Sequence, residues 1–174
     1  FKESEASAKT DVVQKLVPNA LWYFRWAAAF TFLTGLYLLY WLSITVNIGI
    51  VLGAVMGTIM AANVWFIIWP NQKKVIAGAP DAADAGAKAG LASRTNTLFS
   101  LPMLYLMVYS AHGGSLPMIA ESSMNSLWLG MAIILLIEVN ALFGKMNAMI
   151  TSVKAVIHSG VALTVIFGLL VHYL

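Results

Sequence analysis

The stretch VNIGIVLGAVMGTIMAANVWFIIWPNQKK, residues 46–74, decides the fold. Its apolar run exceeds the ~20 residues that a bilayer crossing needs, and a proline and two lysines close it. Gly49, Gly53, Gly57 and Ala61 recur every four residues, which on a helix puts them on one face. Such a stripe lets a second backbone approach closely, as small-xxx-small pairs do in membranes. The expectation is an apolar helix that ends abruptly at Pro70 and on which the other helices pack.

The composition points the same way. The 174 residues are 60% hydrophobic and 10% charged, with a mean hydropathy of +0.83. A soluble domain is nearer ~45–50% apolar and ~25% charged, so lipid is the solvent that fits. There is no cysteine, which excludes disulfides, iron–sulfur clusters and thiolate zinc sites within the chain. The net charge of +3 comes from basic residues set between apolar runs, which is not a nucleic-acid pattern. The predicted class is all-α, a polytopic transmembrane helix bundle forming a single integral membrane domain over residues 1–174. The chain opens mid-sequence at Phe1, and one more span is expected ahead of it.

Five spans are visible. Residues 1–19 read as an interfacial arm, in which Thr10 or Asp11 caps a short helix, VVQKLV, before Pro18. Residues 20–42 form the first span, with Trp22, Tyr23 and Trp26 at one end and Tyr37, Tyr40 and Trp41 at the other, as in two aromatic belts. A turn at residues 43–45 leads to the second span, 46–69. Residues 70–95 are rich in alanine and glycine with few bulky side chains, and are expected to be a cytoplasmic loop with at most one short helix. The third span is 96–112, with Pro102 near its start. A turn-rich connection, residues 113–125, precedes the fourth span, 126–143, and GKMNA links it to the fifth, 150–174.

Threading five spans puts all ten Lys and Arg residues on one side and none on the other. The positive-inside rule makes that side cytoplasmic, places the C-terminus in the periplasm and suits a bacterial inner membrane.

In that topology Arg25, Asn63, Glu138, Asn140 and His158 lie roughly 5–12 Å in from the basic end of their spans. A lone charge in the bilayer core costs at least ~2.5–3.5 kcal/mol, so an Arg25–Glu138 pair is expected, with Asn63, Asn140 and His158 satisfying what remains. The plain reading is a bracing network or simple snorkelling; the functional one is a proton relay, a quinone pocket or a cofactor pocket. His158 and His172 lie fourteen residues apart, ~21 Å along one helix face. Such spacing suits axial ligands of two stacked haems of the b type, although only His112 remains as a partner, opposite His172. A haem at His158 would need a ligand from outside the chain. The plain reading is terminal or hydrogen-bonded histidines, and the nine methionines read as packing residues. No metal site is expected. The sequence carries no phosphate loop, dinucleotide fingerprint, nucleophile elbow or HExxH, hence no catalytic constellation.

Three stretches carry a family likeness. MGTIMAANVWFIIWPNQKKVIAG, residues 56–78, resembles the membrane domain of PuuD-type urate hydroxylases, where a similar helix ends in a Pro-Asn-Gln-basic motif. SRTNTLFSLPMLYLMVYS, residues 93–110, is similar to that family's asparagine-containing, Leu-Pro element. QKLVPNALWYFRWAAAFTFLTGLYLL, residues 14–39, resembles its aromatic-basic-Trp span. The resemblance implies urate oxidation together with a C-terminal cytochrome c, whose CxxCH motif this cysteine-free chain lacks. A periplasmic cytochrome c is then an implied partner.

The expected function is an accessory subunit of a larger respiratory or membrane-oxidase complex, held in lipid beside other membrane subunits. The alternatives are a haem b-binding redox protein acting on urate or a quinone, and a small transporter. No inverted repeat or matched pair of broken helices favours the transporter.

Overall fold

The computed structural model describes residues 6–41, 46–112 and 124–173, without the side chains of 6–9 and 149. The expected turn at 43–45, most of the connection at 113–125 and the start of the arm lie outside these residues. Every regular element described is helical: α1 (Ala6–Lys15), α2 (Val17–Trp41), α3 (Ile48–Ala62), a π-helical stretch (Asn63–Ile68), α4 (Trp69–Ile76), α5 (Ala82–His112), α6 (Met124–Phe143), a 3₁₀ turn (Ala148–Ile150) and α7 (Val153–Tyr173).

Asn47 starts α3 as its N-cap, its side chain accepting from the Ile50 amide at 2.9 Å. The helix does not stop at Pro70. The backbone widens into a π turn from Asn63, where the Trp69 N–H reaches back to the Val64 carbonyl, and then continues as α4 to Ile76. Pro70 falls in the first turn of α4, and Asn71 Nδ2 donates to the Ile67 carbonyl at 2.7 Å. A widened turn and a side-chain donor thus absorb what proline takes from the ladder, as happens in membrane helices.

The expected loop at 70–95 is also corrected. Alanine is the best helix former, so α5 starts at Ala82 and runs 31 residues. The chain breaks only between α4 and α5. There Gly78 (φ +62°) donates to the Val75 carbonyl and Ala79 to the Lys74 carbonyl, a Schellman cap. Lys74 Nζ closes the turn on Asp81 Oδ2 at 2.6 Å, and this bond holds the Asp81 carboxyl below the usual carboxylate range. At the other terminus α1 begins at Ala6, so Thr10 and Asp11 lie inside it rather than capping it, and Asp11 pairs with Lys15 one turn on. The second helix begins at Val17, three residues earlier than expected.

The common partner of the bundle is α5, which packs on α3, α4, α6 and α7. Close approaches fix the directions. Cβ atoms built at Gly53 and Gly57 would meet Met107 and Met103 at 3.1 and 3.5 Å, so α3 runs antiparallel to α5. Gly160 and Gly168 of α7 lie against Leu101 and Tyr105, so α7 runs parallel to α5. Gly130 of α6 seats Leu52 of α3. Around these contacts Leu52, Met56, Phe99, Leu106, Ile134 and Phe167 form the core.

Among the described residues, three helical segments are long and apolar enough to cross a membrane: Ile48–Ile76, Met124–Phe143 and Val153–Tyr173. The two other expected spans, α2 and α5, are longer than a crossing needs but more polar. Because α5 runs beside α3 and α4 from Gly86, next to Val75, to Ser110, bonded to Asn47, it shares their layer. These contacts gather Arg25, Lys73, Lys74, Lys88, Arg94, Lys145 and Lys154 at one end, called the basic end below.

Candidate functional site

Two polar clusters lie at the basic end. In the first, Asn63, Asn96 and Glu138 come from three different segments. Asn63 is 2% exposed and Glu138 8% exposed. An asparagine amide has two N–H donors, and Asn63 uses both: Asn96 Oδ1 accepts at 2.9 Å and Glu138 Oε2 at 3.2 Å. Asn96 then donates to the Met60 carbonyl at 3.0 Å. That bond reaches the last turn of α3, immediately before the backbone widens, so Asn63 opens the π turn with its side chain already held. The chain of bonds ends on a backbone carbonyl and joins α3, α5 and α6.

The second cluster surrounds Arg25. The expected Arg25–Glu138 pair is not formed; the ion pairs among the described residues are Lys15–Asp11 and Lys74–Asp81. The Arg25 guanidinium instead lies over indoles, 4.3 Å from the Trp69 ring centre, 5.5 Å from Trp65 and 5.7 Å from Trp26. Lys73 Nζ is 4.2 Å from the same Trp69 ring. Trp26, Trp65 and Trp69 make successive edge-on contacts at 5.6 and 5.8 Å. The reason for the missing pair is placement: α2 reaches the bundle beside the π stretch, on the side of the tryptophans, whereas Glu138 points inward to Asn63.

The other expected polar residues lie apart. Asn140 closes the turn after α6, donating to the Met146 carbonyl at 2.9 Å and accepting from the Met146 amide at 3.3 Å. His158 is exposed on α7 and makes no bond to the Asn63 cluster. His112 and His172 are both exposed at the far end, where Tyr109 contacts the His172 ring at 6.1 Å. Between α5 and α7 an apolar groove of about 640 Å³ runs past Leu101, Tyr105, Val108, Tyr109, Val161 and Val165 to His112. A haem at His158 would need a ligand from outside this chain. His158 and His172 are separated by most of α7, and no second histidine opposes His158.

Of the small-residue stripe, Gly49 and Gly53 are buried, whereas Gly57 and Ala61 are partly exposed, with Gly57 against α5. Sequence reasoning missed Asn96 as a cluster member, the Asn47–Ser110 bond at 2.8 Å and the indole cage. Asn47 carried a local signal, an N-cap residue directly before an apolar helix.

The sequence profile described as urate oxidase N-terminal matches residues 44–171, which is α3 through most of α7 and excludes α1 and α2. No curated protein and no solved structure matches the chain.

Proposed function

The chain belongs to the urate oxidase N-terminal family, and from that membership we propose that it is an integral membrane accessory subunit of a membrane-oxidase assembly. It anchors and positions the assembly; the oxidation of urate and the passage of electrons belong to partner subunits, a cytochrome c among them. One observation carries this reading. Asn63, Asn96 and Glu138 bond to one another and end on a backbone carbonyl, which supports a role in bracing helices over one in a reaction site. The basic loops facing the cytoplasm, in a bacterial inner membrane, would leave the end of α7 on the periplasmic face for the electron acceptor.

Deleting the chain from its native membranes and measuring urate-dependent reduction of cytochrome c tests the role. The deletion abolishes the activity, wild-type chain restores it, and the purified chain alone has none. Undiminished activity after deletion, or urate oxidation by the isolated chain, overturns the proposal.

A second reading rests on the groove between α5 and α7. Its apolar walls open to the lipid layer and Tyr109 and His112 stand at one end, which suits a quinone. Quinone retained through purification by the wild type and lost with Tyr105→Ala would favour it.

A further inference from the structure

Unlike Lys74, which pairs with Asp81, Arg25 and Lys73 have no carboxylate partner among the described residues and share one indole instead. The Nε of Arg25 is buried and has no hydrogen-bond acceptor. An indole face attracts a cation, but it leaves the N–H edge of the guanidinium unmet. Two like charges close to one ring also repel, which an anion bound beside them would offset. Three tryptophans mark the depth as the headgroup level, where phosphodiesters are the abundant anions.

We propose that Arg25 and Lys73, seated on Trp69, hold the phosphodiester of one anionic phospholipid at the basic end of the bundle. The guanidinium gives paired donors to phosphate oxygens and the lysine supplies a second charge. Zwitterionic lipids carry the same phosphate, but their own ammonium group competes for it. The lipid bridges α2 to α4, adding a link to the one that the indole contacts make. The inference stands independently of the accessory-subunit reading, since it rests on the cage alone.

The test uses the full chain in nanodiscs of phosphatidylcholine with and without phosphatidylglycerol, with native mass spectrometry for retained lipid and thermal unfolding for stability. Wild type retains one phosphatidylglycerol with a preference on the order of tenfold over phosphatidylcholine, and unfolds later when it is present. Arg25→Ala and Lys73→Gln each lose the preference; Lys88→Ala, at the same end but outside the cage, keeps it. Lys73 is exposed, so Lys73→Gln carries the test even if Arg25→Ala folds poorly. Equal retention of both lipids by wild type, or a preference that survives Lys73→Gln, overturns the proposal. Inorganic phosphate in neutral detergent stabilising the wild type as well as the lipid does would also overturn it, by making the site one for free phosphate.

Discussion

The Asn63 cluster and the Arg25 cluster lie at the same end of one bundle and solve the same problem in opposite ways. The first takes polar groups from three segments and links them to one another and to a backbone carbonyl by hydrogen bonds within the bundle. The second gathers two cations on an aromatic ring and leaves a buried donor without an acceptor. Buried polar groups that are fully bonded stiffen a fold, and unmet ones call for a ligand. The difference also follows the helices. The Asn63 cluster sits where α3, α5 and α6 meet, whereas α2 has no buried residue and lies outside the family match.

Mutations can break that contrast. The largest effect is expected from Asn63→Ala, which strips the donor from Glu138 and one partner from Asn96. It should lower unfolding stability in neutral detergent by roughly 2–3 kcal/mol. Asn96→Ala leaves Glu138 its donor and frees only the Met60 carbonyl and one Asn63 proton, so about 1–2 kcal/mol is expected. A null result for both, read by thermal or denaturant unfolding, would mean that water satisfies the cluster and that it braces nothing. Arg25→Ala in the same detergent should cost less than ~1 kcal/mol, because it removes a cation–π contact together with an unmet donor. If it costs more than Asn96→Ala, the cage is a brace like the other cluster and the contrast fails.

The smallest effect belongs to the exposed Lys74–Asp81 bond. Asp81 is held below the ordinary carboxylate range, so its contribution is complete above that range and disappears as the pH falls through the lowered value. Asp81→Asn should therefore differ slightly from wild type near neutrality and not at all in strong acid. A difference that grows on acidification would contradict the assignment.

The all-helical membrane fold was legible because apolar runs and glycine spacing are properties of single segments. Gly53 and Gly57 pack against α5 as a small-residue face should. The loop at 70–95 was misread because scarce bulky residues suggested nothing to bury, whereas alanine favours helix regardless and Ala85, Ala89 and Ala92 are buried. Pro70 looked like a terminus because its effect depends on whether the turn before it can widen. The partners of Arg25 and Glu138 were the least legible. Depth placed both near one level, but the rotation of α2 about its axis, which decides what Arg25 faces, has no signature in hydropathy; Trp65 and Trp69, four residues apart on one helix face, were the available hint.

The central claim is that the Asn63–Asn96–Glu138 cluster is bracing within an accessory subunit. Glu138→Gln tests it most directly, since glutamine keeps the shape and the acceptor but cannot exchange a proton as a carboxylate does. Introduced into the native membranes, this variant should assemble at wild-type levels and leave urate-dependent cytochrome c reduction unchanged. Normal assembly with the activity lost would contradict the account and make Glu138 part of the chemistry.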